Sequence, residues 1–421
     1  MIPDDPEDER TQSQPIVDQK MAGQRIRGTF LIPTCALAAI IFCIYESILV
    51  IRPIGLRNLL HNSLLNKDLR LASQAAGKLA WYQPDDVELI FQRADLANRL
   101  GDQAKAAELL SEVPEGSPRA ASARFSSGMI LRELYRVGAS ELAFEDALRA
   151  DQQMVEARRA LVGLMGIERR EAAQTNQLWG WYKSGVMAVE PLRLLAQSVV
   201  VIPPGTLAKT IDEGMVLERA MEAEPDNPHT RPALARFYRN RGEVEKALRI
   251  LNDWLKRHEG DLAAQIERLF CLVEAGDVEL AQKLISSAPD SWRESANFWV
   301  ASGDHFRNEG DWQNACQFYE KASLRNDRLP EIYYRMAECK RALGLSLESA
   351  QILEKHDRIR QLAEKAAAVD PKNPDVTGMM DVARLCRSLS RNQESVAWAL
   401  EVLKLDRKHA EARAIVDQVK P

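Results

Sequence analysis

The chain has 421 residues, 46% hydrophobic and 28% charged, with a formal net charge of −5. The mild negative balance and the lack of a dominant basic face exclude nucleic acid as a main partner. The composition, rich in Ala, Leu, Glu and Arg, is that of an ordinary globular protein and suits helices.

Residues 1–28 are acidic and Pro- and Gln-bearing without periodicity, and read as a disordered tail. Residues 29–52 read as a transmembrane anchor. Within them FLIPTCALAAIIFCIYESILVI (30–51) is a run of 22 mostly apolar residues, about 33 Å long as a helix and enough to span the hydrocarbon core. Glu46 is the one ionised side chain in it, about a turn and a half from Arg52 and within reach of the interface. A long acidic flank before the run, and no small-x-small site after it, favour an uncleaved anchor over a signal peptide. Lys20, Arg25 and Arg27 precede the run; Arg52 and Arg57 follow it. Three charges against two lean towards an N-terminus in the cytoplasm and a body outside. Cys271, Cys316, Cys339 and Cys386, with no CxxC, read as small buried hydrophobes at home in a reducing compartment.

The body is periodic. Gly242, Gly276, Gly310 and Gly344 fall 34 residues apart, each followed five residues later by Ala247, Ala281, Ala315 or Ser349. Such a period marks stacked helical hairpins, each too small to bury its own apolar face. With the glycines at position 15, units start at Pro228, Leu262, Ala296 and Pro330, and the register runs back to Pro53, Val87 and Ala121. The earlier units carry Ala72, Ala76 and Pro84, then Ala94, Gly101 and Ala106, then Gly128, Phe144 and Ala147, with Gly138 displaced from position 15. Small residues at positions 8 and 20 face each other where the two helices cross, and a left-handed glycine ends the first helix. Weaker units start at Val155 and Val189, with five extra residues around VVVIPPGT (199–206). After Pro330 the period slips by ten residues, which a second helix lengthened over 345–369 absorbs as about three turns. The final unit carries Ala383 and Trp398, and HAEARAIVDQVK caps the stack. The segments are therefore 53–188 (N-terminal repeats), 189–227 (irregular, with the insertion), 228–363 (regular repeats) and 364–421 (last repeat and cap).

In this register the array resembles the tetratricopeptide repeat family. The match lies in Ala235, Gly303 and Ala337 at position 8, in the four glycines, and in the small residues at position 20. The resemblance implies an all-α, right-handed solenoid whose first helices (A) line a concave groove through positions 2, 5, 9, 12 and 13. The implied groove contains Arg236, Arg239 and Asn240, an apolar centre of Ile266, Phe270 and Val300, and then Arg307, Asn308, Tyr334 and Arg341. It suits a peptide whose carboxylates the arginines reach. The Lys/Asn/Arg clamp that some relatives use on chaperone C-termini is absent, with Pro232 at position 5. Trp179, Trp181 and Tyr182 in LWGWYKSGVMAVEP form a second candidate surface, or else plug the void of a degenerate repeat.

Six scattered histidines, no HExxH, no phosphate loop and no GxSxG elbow point to no catalytic residue, metal or cofactor. The expectation is a single-pass scaffold that binds the bilayer through 30–51 and protein partners through the groove. The alternatives are self-assembly into a homo-oligomer and an enzyme or polysaccharide-processing role through 160–215.

Overall fold

The computed structural model describes residues 51–197 and 212–418, together with Leu37 and Ile41. The tail at 1–28, all but three residues of the apolar run at 30–51 and the inserted stretch at 199–206 lie outside the described residues. Among the described residues there is no strand, and no helix is long and apolar enough to cross a membrane. The chain divides into two compact units between Tyr82 and Gln83.

The first unit contains a helical segment at 51–65 (α1) and α2 (Leu69–Ala80). The corner between them is Lys67, at φ 59°. Asp68 caps α2 by accepting the Leu71 N–H at 3.0 Å. α2 buries Ala72, Ala75, Ala76 and Leu79, a stripe at helical spacing.

The second unit is a succession of helical pairs. They are α3 (Val87–Arg99) with α4 (Gln103–Ser111), α5 (Ala120–Glu133) with α6 (Val137–Ala150), and α7 (Val155–Ile167) with α8 (Glu171–Lys183). Two short helices follow, α9 (Val189–Ala196) and α10 (Glu213–Ala223). The pairs resume as α11 (Thr230–Asn240) with α12 (Val244–Leu255), and α13 (Leu262–Ala275) with α14 (Val278–Ser286). Next come α15 (Ala296–Asn308) with α16 (Trp312–Arg325), α17 (Pro330–Ala342) with α18 (Ser346–Ala368), and α19 (Val376–Ser388) with α20 (Asn392–Leu405). α21 (Ala410–Gln418) packs on α20 at the end of the array.

Position 15 is left-handed in every regular pair. Gly242, Gly276, Gly310 and Gly344 lie at φ 73–79°. Tyr135 (φ 58°) and Arg169 (φ 57°) hold the same corner without being glycine, so the period of 34 runs from Lys67 through Gly101 and Tyr135 to Arg169. Tyr135, and not Gly138, is the corner of the third unit; the Gly138 N–H instead donates to Glu224 Oε2 at 2.6 Å. The last corner, Ser390 (φ 60°), stands 46 residues after Gly344, so the slip is twelve residues and not ten. Twelve residues are not a whole number of turns. Accordingly α18 does not keep one buried face: only Ser349 is buried in its first turns, then Ile359, Leu362 and Ala366 where it meets α9 and α19.

Positions 8 and 20 do meet, and they also bond. The position-20 side chains of four units donate to the position-8 carbonyl across the pair: Ser140 to Gly128 (2.8 Å), Gln174 to Val162 (2.9 Å), Ser349 to Ala337 (2.7 Å) and Ser395 to Ala383 (2.8 Å). A small polar residue there allows close approach and satisfies a second lone pair of a helix carbonyl. The large residue at position 24 lies over the same spot. A Cβ on Gly128 would fall 2.6 Å from the Phe144 ring, and one on Gly303 2.5 Å from the Tyr319 ring.

The middle of the array turns back on its C-terminal part. α9 packs on α8, α18 and α20, whereas α10 packs on α11. One continuous core therefore contains Leu178, Trp181 and Leu192 together with Ile359, Met379 and Trp398. Cys271, Cys316, Cys339 and Cys386 are buried free thiols. Burial pushes Cys271 and Cys339 up to about 12 and Cys316 to about 11, which leaves them packed rather than reactive.

Candidate binding groove

The inner positions of the A helices carry a network of charges that largely answer one another. Glu267 is 1% exposed and receives two guanidinium groups, Arg236 Nε at 3.0 Å and Arg239 Nε at 2.6 Å. Arg239 also donates to Glu274 at 2.6 Å and lies 4.9 Å from the Phe270 ring centre. Burial alone would lower the Arg239 pKa; the Glu267 and Glu274 charges outweigh it and raise it. Arg307 stands near Asp304 (3.6 Å) and Glu338 (3.7 Å). The Asn308 amide donates to the Val273 carbonyl at 3.4 Å, and Ile266, Phe270 and Val300 are buried. Asn240, Tyr334 and Arg341 face solvent. The expected arginines thus share one wall of the array, but Arg236 and Arg239 are already engaged.

The aromatic cluster separates. Trp181 has no exposed surface and its indole N–H donates to the Val186 carbonyl at 3.0 Å, so it belongs to the core and not to an exposed patch. Trp179 and Tyr182 form an edge-to-face pair at 5.8 Å. The Tyr182 hydroxyl donates to the Ala397 carbonyl at 3.3 Å, and burial, with the Glu401 carboxylate near it, pushes its pKa up to about 12. A bulky aromatic fills the space that a degenerate repeat leaves.

A cavity of about 280 Å³ opens on this wall. Its floor is made by positions 2, 5 and 9 of the A helices: His229, Pro232 and Arg236, then Ala263 and Ile266, then Asn297. Its rim is the α7–α8 corner, Glu168, Arg169 and Arg170. Arg169 at this corner is left-handed, and its guanidinium pairs with Glu213 at 3.1 Å. Arg170 bridges Glu141 (2.6 Å) and Glu168 (3.2 Å). Three arginines and a histidine therefore line one recess that also carries apolar surface. Among the described residues no cluster of His, Cys, Asp or Glu is placed to hold a metal ion.

Glu168, Arg169, Arg170 and Glu267 were not among the residues expected at the groove. Glu267 had a sequence signal: it is the one acid between Asp261 and Glu274, on a mostly apolar stretch. The α7–α8 corner had none, because its approach to α11 and α13 is not a feature of the repeat.

Glu168 gives the site a pH dependence. It is 5% exposed, accepts from Arg170 and from the Asn227 amide (3.3 Å), and burial pushes its pKa up to about 7 from 4.5, against the pull of Arg170. The folded state holds this proton more tightly than the unfolded chain. Its stability contribution is thus full below pH 4.5 and declines as pH rises to about 7. Glu171 and Glu394, also raised by burial, act in the same direction. Urea unfolding of the wild type should lose about 2 kcal/mol of stability between pH 5 and 7.5 from Glu168 alone. Glu168→Gln should flatten that part of the slope; an unchanged slope contradicts the assignment.

Repeated hairpins with left-handed corners and small residues at the crossings define an α-solenoid. Models of the tetratricopeptide repeat family match residues 215–269 and 299–331. Their matches fall within the 34-residue glycine period, so the chain carries tetratricopeptide repeats in these two stretches. A search of curated proteins gave no match. Among solved structures it is similar to the human IFIT1 dimer with m7Gppp-AAAA, at 12% identity over 86% of this chain and 79% of that one, with a TM-score of 0.36. It is also similar to the Cut9–Hcn1 hetero-tetramer of the APC/C, at 12% identity over 87% and 96% of the two chains, with a TM-score of 0.33. TTC0263, a thermophilic TPR protein of Thermus thermophilus, matches at 14% identity over 46% and 98%, with a TM-score of 0.30.

Proposed function

We propose that this protein is a membrane-anchored scaffold, not an enzyme, that takes protein partners on the concave A-helix wall, over the cavity between the α7–α8 corner, α11 and α13. The cavity carries the reading. It combines Arg236, Arg170 and His229 with the apolar Ile266 and Leu262, a pairing suited to a peptide that presents a carboxylate beside an aliphatic side chain. The Arg236 terminal nitrogens keep donors free, since its bond to Glu267 uses Nε alone. Asn240, Asn308, Tyr334 and Arg341 extend the surface a longer peptide would follow. The anchor rests on the apolar run at 30–51; its described members Leu37, Ile41 and Ile51 are 58–65% exposed, as lipid-facing residues are. The flanking charges, three against two, lean towards repeats outside the cytoplasm, which a compartment-sensitive reporter at the C-terminus checks.

Ala263 is exposed at the cavity floor, so Ala263→Phe fills the recess without disturbing the core. Co-purification from detergent-solubilised membranes should lose partner capture by about tenfold or more in this variant, with unchanged helicity. Equal capture by both proteins, or extraction of the wild type by salt alone, rejects the reading.

A further inference from the structure

We propose that α8 and α9 form a clasp that closes the array on itself and opens at the seam between α9 and α20. The two faces of α9 are held unequally. On one face Glu190, 5% exposed, accepts both Arg159 Nε (2.9 Å) and Nη2 (2.7 Å) from α7, a bidentate pair that fixes α9 to the N-terminal repeats. The turn that aims α9 at the C-terminal repeats has two left-handed residues, Gly185 (φ 74°) and Met187 (φ 47°); the second is a strained conformation for a side-chain-bearing residue.

The other face meets α18 and α20, and there the polar groups are poorly answered. Arg391 Nε and Nη1, Glu394 Oε2 and Trp398 Nε1 are buried without a hydrogen-bond partner among the described residues, and so is Arg193 Nε on α9 itself. Across the seam one residue supplies the strong donors: Arg328 gives Nη1 to the Leu195 carbonyl at 2.8 Å and Nη2 to Glu394 at 2.5 Å. The other crossing bonds are long, Tyr182 to Ala397 at 3.3 Å and Asn326 to Glu171 at 3.4 Å. A recess of about 40 Å³ lies beside Arg328 and Leu195. Closure gains the burial of Leu192, Leu194 and Leu195; each orphaned polar atom opposes it, and water satisfies those atoms once the seam parts. Opposed contributions of similar size make a seam that opens below the cost of global unfolding. The inference does not depend on what the groove binds.

Native-state hydrogen exchange on the full chain tests it. In the wild type, amides of 192–196 and 394–402 should exchange together, faster than those of α5, α6 and α15. Arg328→Gln should speed exchange at both segments by about tenfold or more while leaving α5 and α6 unchanged. Tyr182→Phe, which removes the long bond to Ala397 and the hydroxyl's interaction with Glu401, should speed the same segments by less, and stands in if Arg328→Gln does not fold. Exchange of α9 and α20 only through the global unfolding that also releases α15, or equal acceleration everywhere in the variants, overturns the clasp.

Discussion

Glu267→Ala should lower stability by about 3–5 kcal/mol, because it removes a buried carboxylate that pairs with two partly buried guanidinium groups. Arg236 and Arg239 donate to its two oxygens at 3.0 and 2.6 Å, and the side chain is 1% exposed. The loss is not the worth of two ion pairs. It is the penalty of leaving Arg236 without its acid and Arg239 with Glu274 alone, in a wall where Phe270, Ile266 and Cys271 exclude water. Glu267→Gln, which keeps the shape and one acceptor, should cost less. Glu267→Leu combined with Arg239→Leu should recover part of the deficit, since an apolar pair replaces a half-answered, partly buried guanidinium. Urea denaturation of the three proteins reads the series. A single variant within about 0.5 kcal/mol of wild type would show that the acid is dispensable.

Gly303→Val should cost about 4 kcal/mol, in part through overpacking and in part through a broken polar contact. The new Cβ falls 2.5, 2.7 and 2.9 Å from Tyr319 ring atoms. The ring cannot yield freely: Tyr319 is fully buried, and its hydroxyl donates to Asp304 Oδ1 at 2.6 Å. Burial and the Asp304 carboxylate both raise the tyrosine pKa. Asp304 in turn holds Arg335 at 3.2 Å, so a displaced ring unsettles two neighbouring pairs. Gly303→Ala should be milder, its clash offset by about 1 kcal/mol of helix propensity. Adding Tyr319→Leu to Gly303→Ala should restore stability; a double variant no better than the single one would place the cost elsewhere.

Periodic features were legible in the sequence. Helix starts at Val87, Val155, Leu262, Ala296 and Pro330 fall where the register places them. So do the four glycine corners and the long helix Ser346–Ala368, expected over 345–369. Each is local, or repeats every 34 residues, and so leaves a trace in a short window. The corners at Tyr135, Arg169 and Ser390 were less legible: a left-handed residue with a side chain has no compositional mark, and Gly138 nearby drew the assignment.

Hairpin geometry, crossing positions and the end of the stack were thus determined by the sequence, because burial at a fixed spacing writes itself into residue size. Which charges answer one another was decided only by the tertiary structure. Glu267 meets Arg236 and Arg239 across neighbouring helices, and Arg328 meets the Leu195 carbonyl from 133 positions away. Pairings of that kind depend on how a degenerate middle repeat turns the chain back on itself, and no periodic pattern encodes that turn.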